Sequence, residues 1–409
     1  MHILFLTDNF FPESNAPANR TFEHAKVWIN DGHIVTVITS NPNFPEGKIH
    51  KGYRNFFPFR YEDINGIKVI RVWTLIAENK GFFLRIIDQL SYAFTAFFAG
   101  LFVKKVDIII GTSPQFFTIF ATYALSLIKN KKWVFEVRDL WPESLLAVGV
   151  LKRGLLYRLL HRIEKHFYHS ANHIIALTKS FKSQIVSYGV SESKVTVITN
   201  GIDRSMFHAN VDDGYKTSEG FHKDDFLVSY IGTIGMAHSI NTIIETARLF
   251  SLRNISNVKF LLYGSGAEAS QAKELIEKIN IKNIFLKGKV ERKLIPTILK
   301  SIDISLVILK NDPAFLKVIP SKIFESIAMG VPILIGVKGE SREFVTNNGF
   351  GEYFEPDNPQ ALFEAILKLM NNSDQLELYS KNSQNNHKYS RELLARKMLK
   401  SIQYLHEKK

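Results

Sequence analysis

The chain has 409 residues, 45% of them hydrophobic and 22% charged, which suits two globular domains with full cores. Its 52 Lys and Arg against 39 Asp and Glu leave a net charge of +13, so an anionic partner is expected, whether nucleic acid, anionic lipid or anionic substrate. There is no cysteine, which excludes disulfides, thiolate metal sites and a cysteine nucleophile. No zinc-finger spacing, RNA-binding aromatic signature or basic tail is present, which argues against nucleic acid. The opening MHILFLTDNFFPES lacks a basic n-region and is broken by Asp8 and Asn9, so it reads as a first strand and not as a signal peptide.

Short β-branched apolar runs then alternate with helical patterns, the mark of parallel sheets covered by helices. In the first half the predicted strands are 2–7, 33–39, 68–72, 106–111, 133–137, 173–178 and 194–199. A turn-forming stretch, Asn200-Gly201-Ile202-Asp203, marks a boundary. A second series follows at 226–232, 258–264, 284–288, 304–309 and 332–337. Two successive series of this kind predict two Rossmann-like lobes with a cleft between them as the default ligand site. The end, SRELLARKMLKSIQYLHEKK, has the pattern of an amphipathic helix.

The most informative stretch is KVIPSKIFESIAMGVPILIGV, from Lys317. Pro320 and Ser321 open a helix, Gly330 and Pro332 close it, and a buried strand follows. Lys322 falls in the first turn, where the helix dipole disfavours a cation by about 0.3–1 kcal/mol. An anion beside it, held also by free backbone N–H groups, would resolve that conflict. Glu325 lies one turn on, and its ionised carboxylate can accept two hydroxyl donors such as a ribose diol. A solvated lysine and a helix-start carboxylate are the plainer readings of the pair.

This arrangement, with FEVRDLWPES at 135–144 and the opening LTDNFFPESNAPANR, resembles the family-4 retaining glycosyltransferases of the GT-B fold. The likeness is closest to bacterial O-antigen and capsule enzymes, including N-acetyl-L-fucosamine transferases. It implies an α/β fold of two Rossmann-like lobes facing a central cleft. The first, residues 1–200 with a returning C-terminal helix at 387–409, would bind the acceptor. The second, 201–386, would bind a nucleotide sugar. Donor contacts are expected from Gly232, Thr233, Gly235 and His238 in the loop after the strand at 226–232, from Gly264 and Ser265 in a Gly-Ser-Gly turn, and from Ser321, Lys322 and Glu325. Thr233 and His238 stand where many members carry a phosphate-binding arginine and lysine, and Lys317 replaces the first of a usual pair of glutamates. The Gly-Ser-Gly turn also reads as an ordinary strand–helix turn.

On the first lobe, Arg138 and Asp139 occupy the strand end where many relatives place a histidine facing the transferred sugar. Asp139, Arg138 and Lys322 are therefore the catalytic candidates, although Asp139 also reads as a helix N-cap. Trp141 and Glu143 join the acceptor side, with Trp141 either stacking on a sugar or filling the core. Arg20, placed on a long loop after the first strand, and Ser113 complete that set. No DxD motif or metal-ligand cluster is present in the sequence, so no metal or other cofactor is expected beyond the UDP-sugar as co-substrate.

Two segments point to an anionic membrane surface. Residues 81–105 hold an uncharged stretch from Leu90 to Val103, shorter than the ~20 residues of a spanning helix. Residues 151–169 combine leucines and aromatics at helical spacing with Lys152, Arg153, Arg158, Arg162 and Lys165. A core-facing helix with a solvated basic side fits the second equally well. The expectation is a cytoplasmic enzyme, peripheral on the inner face of the membrane. It would transfer a sugar, N-acetyl-L-fucosamine by resemblance, from UDP to a saccharide on undecaprenyl diphosphate. The alternatives are a UDP-sugar 2-epimerase of the same fold and a non-catalytic nucleotide-sugar sensor.

Overall fold

A computed structural model describes all residues except 45–46, 77–81, 148, 150, 209–213, 385 and 408–409. Gly81, the first residue of one predicted membrane segment, lies outside the described residues. The chain divides into two compact units, Met1–Asn200 with Arg391–Lys409, and Gly201–Ser390. Together they form an α/β GT-B fold.

The first unit is built on β1 (His2–Leu6), β2 (Ile34–Ser40), β3 (Phe59–Ile64), β4 (Ile67–Val72), β5 (Ile108–Thr112), β6 (Lys132–Val137), β7 (His173–Ala176) and β8 (Val195–Val197). Their order is β3-β4-β2-β1-β5-β6-β7-β8. Helices return the chain between parallel strands; only β3 is antiparallel, paired with β4. That hairpin turns at Asn65-Gly66, both with positive φ (53° and 82°), the geometry an Asn-Gly pair adopts most readily. No strand was predicted at 59–64, because FRYEDI is half exposed, has no fully buried residue and carries no apolar run. The Asn-Gly pair was the available signal.

The helix Arg391–Glu407 belongs to this first unit and packs on the helix Ala16–Asn30. Leu394, Ala395, Met398, Leu399 and Ile402 share a core with Trp28, Val35 and Ile110. The Trp28 indole N–H donates to the Ala395 carbonyl at 2.9 Å. Residues 387–390, assigned by sequence to the returning helix, instead stay with the second unit. There Tyr389 packs against Phe324 and Phe344, and its carbonyl accepts from the Ile202 N–H at 3.0 Å.

The second unit holds β9 (Phe226–Ile231), β10 (Val258–Tyr263), β11 (Ile284–Gly288), β12 (Ile304–Ile308), β13 (Ile333–Gly336) and β14 (Gly351–Tyr353). The order β11-β10-β9-β12-β13-β14 is parallel throughout. Strand β14, three residues long, is a second strand that the sequence pattern did not predict. The strand order reverses at β9, which lies between β10 and β12, so the loop leaving β9 sits at a topological switch point. The helix Lys322–Met329 ends at Gly330, whose φ of 70° suits a residue without a Cβ. Ile323, Phe324 and Ile327 are buried beneath it. Each stabilises its placement by roughly 1.5–3 kcal/mol and so holds the amino end of the helix in position.

Candidate active site

The Lys322 side chain runs back from the first turn of its helix to the switch-point loop. Its Nζ lies 3.7 Å from the centroid of the Tyr230 ring, near the end of β9. A Cβ on Gly232 would stand 2.7 Å from that nitrogen, so the glycine leaves the space the ammonium fills. Nζ is buried and has no hydrogen-bond partner. Burial pulls its pKa down to about 7, against an opposing pull from the Glu325 carboxylate. A ring face offers a cation about 0.5–2 kcal/mol, less than the hydration it has lost.

The surrounding loop is tightly built. Tyr230 is buried and its hydroxyl donates to the Thr233 carbonyl at 2.7 Å. The His238 N–H donates to the Gly235 carbonyl at 2.9 Å, and the His238 Nδ1 is buried without a partner. Burial, then the Lys322 charge, press the imidazole pKa down to about 4, so the ring is neutral at physiological pH. Ser239 begins the next helix with a left-handed φ of 43°. Its hydroxyl bonds the Asp357 carboxylate, whose other oxygen accepts from the Asn311 N–H at 2.8 Å. This ties the loops after β9, β12 and β14 together.

Gly264 and Ser265 lie against this loop. The Ile234 N–H donates to the Ser265 carbonyl at 3.0 Å. A Cβ on Gly264 would be 1.7 Å from the Gly232 carbonyl oxygen, and one on Gly266 would be 2.3 Å from the Ile234 carbonyl oxygen. These glycines therefore permit two backbones to touch, a packing reason not visible in the turn itself. The Ser321 side chain makes no capping bond, and Glu325 is half-buried one turn beyond Lys322. The structure thus brings Gly232, Thr233, Gly235, His238, Gly264, Ser265, Ser321, Lys322 and Glu325 into one region of the second unit. The sequence reading missed Tyr230 and Asp357, one reading as an ordinary strand residue and the other as part of a turn.

On the first unit several expectations change. Arg20 is not on a loop but inside the helix Ala16–Asn30, fully buried. Its Nε pairs with Glu136 at 2.8 Å, and its Nη1 and Nη2 donate to the Thr199 and Ile198 carbonyls at 2.7 and 3.0 Å. Every nitrogen is engaged in holding helix, β6 and the end of β8 together. Ser113 accepts the Arg138 N–H at 2.9 Å and donates to the Asp139 carbonyl at 3.3 Å, so it fixes the turn after β6. Burial raises the Asp139 carboxyl to about 6, opposed by bonds to the Ser144 hydroxyl and the Leu140 N–H; the following helix begins four residues on, at Glu143, so Asp139 is not its N-cap. Trp141 stacks on Phe116 with centroids 4.1 Å apart and planes at 19°, so one face is covered. Glu143 accepts from Gln184 at 2.8 Å and from the Tyr188 hydroxyl at 3.1 Å. Arg138 differs: its Nε and Nη1 are buried without partners. Among the described residues no group of three or more His, Asp or Glu side chains could hold a metal ion.

Residues 18–205 match the family model described as Glycosyltransferase Family 4, and residues 212–388 match Glycosyl transferases group 1. The chain is a glycosyltransferase. Among its relatives is an Escherichia coli K12 protein named "Putative colanic acid biosynthesis glycosyl transferase WcaI", 23% identical over 90% of this glycosyltransferase and 92% of the relative. The fold is shared with the sucrose-phosphate synthase of Thermosynechococcus elongatus, at a TM-score of 0.78 and 16% identity over the whole of both chains. It is also shared with Anabaena HepE in complex with UDP and glucose, at a TM-score of 0.70 and 14% identity, covering 99% of this chain and 100% of HepE.

Proposed function

We propose that this glycosyltransferase moves a hexose, of the N-acetyl-L-fucosamine type, from UDP to a saccharide carried on undecaprenyl diphosphate, in O-antigen or capsular polysaccharide assembly. The observation that carries the reading is the buried Lys322 ammonium, held over Tyr230 beside Gly232 and lacking any hydrogen-bond partner. A nucleotide diphosphate supplies the missing partner. HepE, of the same fold, is known in complex with UDP, and WcaI is named for colanic acid biosynthesis. The domain matches favour a transferase over an epimerase or a sensor.

In this reading the glycosyl–phosphate bond lengthens through an oxocarbenium-like state, and charge grows on the leaving diphosphate. Lys322 and backbone N–H groups of the 232–239 loop, fixed beforehand by Tyr230 and Asp357, stabilise that charge without reorganising. Glu325 accepts the ribose hydroxyls. The transfer uses no metal and retains the anomeric configuration.

The lipid acceptor is supported by two exposed surfaces of the first unit. On the helix Phe82–Phe102, Ile87, Leu90, Phe94, Phe98 and Phe102 form an exposed apolar stripe, Phe94 and Phe102 each at 65%. On the helix Leu155–Ser170, Leu155, Leu156 and Leu159 are exposed beside Arg158 and Arg162. Among the described residues no helix is long and apolar enough to cross a membrane. We place the protein on the inner face of the cytoplasmic membrane through these two helices.

The test is mass spectrometry of reactions between a panel of nucleotide sugars and undecaprenyl-diphospho-GlcNAc. Transfer of a single hexose from a UDP-sugar supports the reading. No transfer from any donor, or conversion of the UDP-sugar without acceptor, rejects it.

A further inference from the structure

The first unit buries a second cluster of ionisable groups, around the carboxyl end of β6, whose partners do not balance. Arg20 pairs with Glu136 at 2.8 Å and Arg391 pairs with Glu23 at 2.6 Å. Arg138, one residue past β6, is the remaining cation. Its Nε and Nη1 are both buried and both lack a hydrogen-bond partner. The groups that act on it are one carboxylate, Glu136, whose Oε1 is held by Arg20 and whose Oε2 is buried without a partner, and two further guanidiniums, Arg20 and Arg391. His24 lies one turn beyond Arg20 on the same helix, close enough for the charges of all three arginines to act on its ring, and its Nε2 is also buried and unpartnered. Burial together with these cations keeps that imidazole neutral, so one ring nitrogen can donate without adding charge.

A buried guanidinium with unmade hydrogen bonds is destabilising, and a native fold retains such a group where something outside the chain completes it. A planar fork of N–H donors beside a neutral imidazole matches an oxygen anion. We propose that Arg138 and His24 form an oxyanion site in the first unit, separate from Lys322, that takes a carboxylate or phosphate group of a sugar substrate. The ligand source rests on the transferase reading; the existence of the site does not. The same chemistry is offered by a uronate and by a phosphate group on the acceptor.

Calorimetric titrations separate these sources. The full chain carrying Lys322→Met, which lacks the first anion site, is titrated with inorganic phosphate and with glucuronate. The expected result is saturable binding of at least one of them, and the tighter of the two names the group on the acceptor. That binding is to fall at least tenfold with Arg138→Gln and with His24→Ala, and to survive in part with Arg138→Lys. Absence of binding, or binding unchanged by Arg138→Gln and His24→Ala in proteins with native circular dichroism, overturns the proposal. If Arg138→Gln does not fold, His24→Ala and Arg138→Lys decide. Loss of UDP binding in the wild type would sink the donor reading and leave the phosphate arm intact.

Discussion

Raising the pH from 7 to 9 is expected to weaken UDP binding through Lys322 alone. Burial lowers the Lys322 pKa to about 7 in the free protein, so above that pH the side chain must take up a proton before it can meet a diphosphate. Apparent affinity then falls by a factor of 1 + 10 raised to the power (pH − 7). Between pH 7 and pH 9 that is about fifty-fold, or about 2.3 kcal/mol at ~1.4 kcal/mol per tenfold. With a second pKa of about 6, the nucleotide phosphates are already about nine-tenths ionised at pH 7, so their own titration opposes the effect only slightly. His238, pressed to about 4, stays neutral throughout. The assay is calorimetry of UDP binding at pH 7, 8 and 9, with Lys322→Arg as the control. Arginine remains charged, so its slope flattens to less than about threefold. A flat wild-type profile, or an equal slope in Lys322→Arg, refutes the argument that an uncompensated buried ammonium receives the anion.

The same shift has a consequence for stability. The folded pKa lies below the unfolded value of 10.5, so the unfolded chain binds more protons between about pH 7 and 10.5, and unfolding free energy rises with pH in that window. Lys322→Met removes the rise and raises unliganded stability at pH 7 by about 1–3 kcal/mol while abolishing UDP binding, read by thermal unfolding with and without nucleotide. Glu325→Ala is expected to weaken UDP binding by about 1.5–3 kcal/mol through loss of a charged acceptor; unchanged affinity in calorimetry removes Glu325 from the site. Arg20→Met leaves Glu136 buried and unpaired, destabilising the first unit by about 3–5 kcal/mol in urea unfolding with little change in UDP affinity. Gly264→Ala would drive a Cβ into the Gly232 carbonyl, displace the loop and lower UDP affinity at least tenfold; a wild-type titration would show that the two turns do not depend on each other.

Local pattern alone determined most of this protein's frame. Twelve of the strand positions follow from short apolar runs, because a strand buried on both faces must be apolar along its length. The helix at Lys322 follows from its Pro-Ser opening and its Gly-x-Pro close, since these act within one turn of chain. The exceptions, β3 and β14, are an exposed edge strand and a three-residue strand, whose pairing depends on a neighbour rather than on their own composition. What tertiary structure decided is which basic residues keep a partner. Arg20 and Lys322 are both basic candidates for ligand contact by sequence, yet one meets Glu136 and two carbonyls, and the other lays its Nζ on the face of Tyr230 without a hydrogen-bond partner. The helix start flagged Lys322, but whether a buried charge is satisfied depends on groups brought from distant parts of the chain, which is why Arg20 and its partners were not legible.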